Sequence, residues 1–456
     1  MTERTLRHRS IDRPQLLFSL PLVVLLTVCQ FLPAEELGGR SRSWEPRVPA
    51  AKNLSAAGRL LVNERPGQPW RSAESEEALH SRDLLLALPG VSARIETTPR
   101  AVELTLWGNL PEMSAFSGLQ SSVILHDSRS FDLDFTLHRG RVIVRNLKKS
   151  GAARVWLRVD GAAFEVTLAD PGAAICLGLY SFWPRGTSFA VTPREEDAPV
   201  RRLGCFALKG QTDVKEGGTQ HALSAPPGRS YLQWDSVNGT EDTARSRRQV
   251  DTWADFDRKP TVWERALADI VETYLTAVKT KEPRTVLFEL LDAASKGDDR
   301  AATLAEFSVL GLAAMNDIDR VVQALDDPRR AESRKAAALA LRRWIGDAPG
   351  REQRLYRYLS ERLGFARAQS ATILQMLHGT LAADDPGTYE TLIAYLRHEK
   401  LAVRELAWGN LSRLVPEDLV VPYDPAAAPA ARAKMYAAWK EAVPSGSLPT
   451  RKSQKK

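Results

Sequence analysis

Two acids and three cysteines are the residues whose types and spacing first suggest chemistry. Asp132 and Asp134 stand two apart in "FDLDFTL". In an extended strand this spacing sets both carboxylates on one face, as a general acid/base pair or two oxygen ligands of a calcium ion require. No third ligand and no ligand loop accompanies them, so they read as the wet face of a strand. Cys29, Cys176 and Cys205 form no CxxC and no Cys/His ligand spacing. The seven histidines include no HExxH and no pair at helical spacing. No metal or cofactor is therefore expected. Cys176 and Cys205 lie in the apolar runs "AAICLGLY" and "LGCFALKG", which suit buried free thiols. In an oxidising compartment a disulfide between them is the alternative.

The chain carries no P-loop, no GxSxG, no GxGxxG after a strand and no paired-carboxylate frame. No residue is assigned a catalytic, cofactor-binding or metal-binding role. A triad assembled from residues far apart in sequence stays open, as the basis of an envelope-polymer hydrolase. The balance of 63 basic against 56 acidic residues over 456 positions is a mild bias, and basic clusters are short, such as Arg245–Arg248 and the tail Arg451–Lys456. Nucleic-acid binding is not expected from so little clustered charge.

The elements that must position these residues begin with an address. Arg4, Arg7, Arg9 and Arg13 precede an uncharged run of 17 residues, Leu16 to Leu32. A basic flank followed by an apolar core marks export, and the length fits both a signal anchor and a signal peptide over 1–34. The arginines keep that end in the cytoplasm and send the bulk of the chain outside. The protein is expected at the cell membrane, single-pass, or secreted or periplasmic after cleavage. Residues 35–57, rich in Pro, Gly, Ser and Arg, read as a linker.

From Gly58 short strands follow one another: "AVELTLWGNL", "SSVILHD", "FDLDFTLHRG", "RVIVRN", "ARVWLRVDG", "AFEVTLAD" and "AAICLGLY". Phe131, Leu133, Phe135 and Leu137 alternate with polar residues, giving one apolar sheet face. Many closely spaced strands without helices imply an antiparallel sandwich or roll over 58–245. In "HRGRVIV" Gly140 is expected to turn a hairpin, which needs a residue tolerant of positive φ. Residues 246–260 read as a second linker.

"GRLLVNERPGQPW" and "LHSRDLLLALPGVSARIETTPRAVELTLWGNL" resemble the opening of a FecR-type domain, with Ser81-Arg82-Asp83 at its Gly-Asp step. "LHRGRVIVRN" resembles a later hairpin of that family. The resemblance covers about residues 58–190 and implies a bacterial, extracytoplasmic β-rich module that relays an outer signal to an anti-sigma segment. Only about fifteen residues precede the apolar run here, too few for that cytoplasmic segment.

Beyond Val262 the period changes to 3.6. "VWERALADIVETYLTAV" places Trp263, Ala266, Leu267, Ile270, Tyr274 and Leu275 on one stripe. A motif then recurs, with a small residue at +3 and large apolar residues at +7 and +10. It comprises Ala337, Leu341 and Trp344 after Arg334; Ser370, Leu374 and Leu377 after Arg367; and Ala407, Leu411 and Leu414 after Arg404. Ala305, Val309 and Leu312 follow Ala302 at the same offsets, and the starts lie 32, 33 and 37 residues apart. Each recurring Arg is expected to bind a nearby acid or carbonyl. This pattern resembles HEAT repeats over 261–445, ahead of a basic tail at 446–456. The whole reads as an α+β multidomain chain: an antiparallel all-β FecR-like domain, then a HEAT-like helical solenoid, each folding separately. The expected function is non-enzymatic: an exported sensor or scaffold that binds a protein or envelope component through its helices.

Overall fold

In the computed structural model the described residues are 47–65, 67–108, 120–184, 186–241, 243–251, 253–255, 262–294, 299–379 and 381–449. The expected signal segment with Cys29, most of the first linker and the basic run from Arg451 lie outside them. So do the side chains of Trp263 and Ala266.

Among the described residues eighteen strands come first. They are β1 (Pro49–Asn53), β2 (Leu61–Asn63), β3 (Arg71–Ser72), β4 (Ala78–His80), β5 (Leu84–Ala87) and β6 (Ser92–Thr97). Then come β7 (Val102–Trp107), β8 (Ser121–His126), β9 (Leu133–Asn146), β10 (Ala153–Val159), β11 (Ala162–Leu168) and β12 (Ala174–Phe182). The last are β13 (Val200–Lys209), β14 (Gln211–Glu216), β15 (Thr219–Ser224), β16 (Arg229–Asp235), β17 (Gly239–Thr240) and β18 (Arg245–Ser246).

They build two sheets. The first runs β4-β1-β6-β7-β9-β12-β13-β16, with β17 and β18 on β16. The second runs β3-β2-β5-β8-β9-β10-β11-β14-β15. Every described pairing is antiparallel except β9 with β10. One core, including Phe135, Leu157 and Val166 from the second sheet and Val142, Leu177 and Leu203 from the first, fills the space between them. The expected N-terminal β region is present, antiparallel apart from β9 with β10.

β9 belongs to both sheets. Its first half pairs with β8 and β10, its second half with β7 and β12, and the change falls at Gly140. Gly140 has φ +85°, and a Cβ there would lie 2.0 Å from the Gln120 carbonyl oxygen. The expected need for positive φ is met, but the glycine bends one continuous strand rather than turning a hairpin. A sharp corner between sheets makes the same backbone demand as a turn.

Two expected boundaries move. β1 lies inside the stretch read as a linker, because "PAAKN" carries no periodicity yet fills the gap between β4 and β6. In the second expected linker, Val250, Trp253 and Ala254 pack on Ile143, Cys176 and Phe206, covering the outer face of the first sheet.

The helices are α1 (Val262–Ala277), α2 (Pro283–Ala293), α3 (Asp299–Ala314), α4 (Ile318–Leu325) and α5 (Ala331–Gly346). They continue as α6 (Arg351–Arg357), α7 (Arg367–His378), α8 (Pro386–Tyr395), α9 (Leu401–Leu414) and α10 (Pro429–Ala442). The recurring apolar positions mostly point inward as expected: Ala305, Val309, Leu312, Ala337, Leu341, Trp344, Leu374, Leu377, Ala407 and Leu411 are buried, and Leu414 is half-buried. α5 touches α3, α7 and also α9, so the arrangement is tighter than stacking of nearest neighbours alone.

The helical half is not separate from the sandwich. Leu61, Leu86, Leu88 and Val91, on or beside β2 and β5, belong to the same buried cluster as α1–α10. "LLLA" in β5 is apolar throughout because one face fills the sandwich while the other meets helices. From Arg47 onward the chain forms one compact unit, with the two expected halves sharing a core.

Candidate functional site

The residues weighed for chemistry are each engaged in structure. Asp134 is not on a wet face: it is buried, and Arg158 grips both its oxygens at 2.9 and 2.7 Å. Asp132 pairs with Lys148 at 2.8 Å and accepts the Arg154 backbone N–H. Cys176 and Cys205 are free and buried. In the β12–β13 register Cys176 stands opposite Phe206, and Leu177 opposite Cys205, so the two thiols point to opposite faces of the sheet. A disulfide between them is excluded. Burial pushes each thiol up to about 12.

The recurring arginines divide. Arg334 donates to the buried Glu405 carboxylate at 2.6 Å and to the Asp327 carbonyl. Arg404 donates to the carbonyls of His398, Glu399 and Pro425. Arg367 is exposed. The expected structural role thus holds for two of the three. "LRRW" adds Arg342, which donates to Asn410 at 3.0 Å, and burial lowers it to about 9.

Sheet and helices meet through a half-buried polar seam. Arg139 of β9 pairs with Asp347 at 2.8 Å and donates to the Ala314 carbonyl. Arg201 donates to the Asp347 carbonyl, and Trp70 to the Met315 carbonyl at 3.2 Å. Beyond β12, Trp183 packs against the His378 ring, tilted by 37° with centroids 4.3 Å apart. His378 is hydrogen-bonded to Glu352, Glu352 accepts from Gln353, and Gln353 donates to the Ala190 carbonyl. A Glu–His pair resembles a general-base dyad in composition. Here the His378 side chain is fully buried under Trp183, so no substrate reaches it.

The open cleft lies beside this seam, between α7 and the N-terminal part of α8. It encloses about 390 Å³, within the range of small-ligand or side-chain pockets. Phe189, Met376, Leu381, Leu392 and Tyr395 supply its apolar surface, and Thr372, Gln375, Thr388 and Thr391 its uncharged polar groups. The Gln375 side-chain oxygen accepts the Phe189 N–H at 3.0 Å, and the Phe189 ring packs on Tyr356 at 5.3 Å, so the β half supplies a fixed wall. Among the described residues Asp385 is the only carboxylate lining the cleft, and it caps α8 by accepting from Gly387 N and Thr388 Oγ1. This lining can grip an apolar group and hydrogen-bond its polar edges. Its one hydroxyl–carboxylate contact among the described residues, Thr388 to Asp385 at 3.2 Å, is part of the α8 cap. Among the described residues no three His, Cys, Asp or Glu side chains gather as a metal site.

Sequence reasoning did not find this cleft. Phe189 lies after the last strand run read from the sequence, "AAICLGLY", in a stretch given no role there, and its signal was a group of large aromatics, Phe182, Trp183 and Phe189, close together. No known family, curated protein or solved structure matches the chain.

Proposed function

We propose that this chain is a non-enzymatic binding protein that holds a protein or envelope partner at the α7–α8 cleft. The observation that carries this reading is the lining itself: apolar and hydroxyl-bearing, with the one carboxylate among its described residues committed to a helix cap. The repeating apolar positions of α3, α5, α7 and α9 support a HEAT-like scaffold, and the strand pattern over 58–190 supports a FecR-like module fused to it. In this reading the N-terminal apolar run anchors or exports the chain, so the cleft works outside the cytoplasm as a sensor or scaffold. Among the described residues no helix is long and apolar enough to cross a membrane; the run from Leu16 to Leu32 lies outside them.

The test is a photoreactive side chain at exposed Thr391, activated in the native host. A discrete crosslinked partner, lost when Phe189→Ala and Thr388→Arg are added with the melting temperature unchanged, supports the reading. Crosslinking unaffected by those changes, or none at all, overturns it. Alkaline phosphatase fused after residue 60 tests the address: an inactive fusion excludes an extracytoplasmic cleft.

A further inference from the structure

We propose that two copies of this chain associate edge to edge through β15, continuing the second sheet from one copy into the other. Sheet edges expose unpaired N–H and C=O groups, and folded proteins blunt them with short strands, charges or proline. Three edges here are blunted: β3, β17 and β18 have two residues each and β4 has three, with Arg71 in β3 and Arg245 in β18. β15 has six residues, Thr219–Ser224, with no charge and no proline.

The hydrogen-bond parity of β14 and β15 shows which groups face outward. The Gln211 carbonyl accepts from Ala169 on the β11 side, and the Gly210 carbonyl accepts from Ala225 on the β15 side. Alternate residues of β14 therefore bond to β15, and a two-residue Gly217–Gly218 turn makes Glu216 and Thr219 a bonded pair. Thr219, His221 and Leu223 direct their backbone groups into the ladder. Gln220 and Ala222 direct theirs away from it, and both residues are exposed. Among the described residues no backbone hydrogen bond reaches either one from that side.

A second β15 fits this edge. About a two-fold axis at Ala222, the two Ala222 residues exchange both hydrogen bonds, and Gln220 faces Ser224 of the other copy. Six uncharged residues meet six uncharged residues, with the smallest side chain of the strand at the centre. A second copy also arrives as a preformed strand, so no segment has to be ordered on binding, which a free peptide would require. The contact is self-complementary and closes at two copies, because the other edges are too short to propagate it.

The test uses the full-length chain in sedimentation velocity. Wild type should sediment as a dimer. Ala222→Lys places two ammonium groups across the axis, and Ala222→Pro removes only an outward N–H. Each should weaken association at least about tenfold, equivalent to about 1.4 kcal/mol, with unchanged circular dichroism. If the lysine variant perturbs the fold, the proline variant decides. A monomeric wild type overturns the proposal, as do variants that dimerise as tightly as wild type.

Discussion

The Arg139 guanidinium lies 2.8 Å from the Asp347 carboxylate, so the strand that joins the two sheets also holds the end of α5. Arg351 approaches the same carboxylate at 3.4 Å, and Arg201 takes the Asp347 carbonyl. One aspartate thus answers several cations in a place where water is scarce. Removing the anion leaves those cations facing one another, and removing one cation does not.

Asp347→Ala should therefore destabilise the protein by about 1–3 kcal/mol, less than the cost of breaking a fully buried pair, because both side chains are half-buried. Arg351→Ala should cost less, because Arg139 and Asp347 remain paired. Urea denaturation of the three proteins measures both, and equal losses would mean that Asp347 is not the centre of the seam.

Severing the chain between 255 and 262 should not yield two native pieces. Leu61, Leu86, Leu88 and Val91 would be stripped of their helical partners, and the helical fragment would expose the matching surface. Each piece alone should bind a dye specific for exposed apolar surface, and mixing the two should abolish that binding. The intact chain should unfold in one transition by circular dichroism and by tryptophan fluorescence.

Leu341→Ala and Leu411→Ala should each cost about 2–5 kcal/mol, since both side chains are at most 1% exposed. Arg367→Ala, at an exposed position of the same motif, should change stability by less than about 0.5 kcal/mol. Thermal melts of the three variants separate the two classes.

These leucines were legible in the sequence because helical burial repeats along the chain and needs no knowledge of neighbours. The alternation Leu133-Phe135-Leu137 was legible for the same reason, whereas Phe131, ahead of β9, packs on Trp156 outside the core. Gly140 was half legible. Its φ demand follows from its residue type, yet whether the strand turns back or bends depends on which strands lie beside it. β1, the seam and the cleft were not legible, because each joins segments more than a hundred residues apart or, like β1, has a burial set only by the strands around it. Trp183 and His378 meet across 195 positions, and no local pattern marks such a meeting.

The thiols provide a chemical check. Cys176 and Cys205, held up to about 12 by burial, should resist iodoacetamide in the native protein at pH 8 and react fully in denaturant. A thiol oxidant should produce no link between them. Mass spectrometry reads both results, and a 176–205 disulfide in native protein would refute the β12–β13 register.

His138 gives a pH dependence with a definite sign. Burial, followed by the nearby Arg139, Arg201 and Arg351, lowers its imidazole to about 3. The folded protein then binds fewer protons than the unfolded chain between pH 6.5 and about 3. Its contribution to stability is present above pH 6.5 and is lost as pH falls through that window. His138→Gln should flatten that part of the stability profile relative to wild type. Parallel profiles for the two proteins would show that the imidazole is freely protonated in the fold.

β1 has a mechanical consequence. It lies between β4 and β6, and just before it Arg47 reaches Glu64 and the buried Asp83. A pull on the chain ahead of Arg47, directed along the strand, loads the rungs of both ladders in shear at the same moment, so they resist together instead of peeling one by one. The sandwich would transmit such tension through its interior to β6 and β7 before β1 gave way. A single-molecule stretching trace from that end should show one high-force rupture, and a stepwise unzipping at low force should appear only when the pull is turned across the strands.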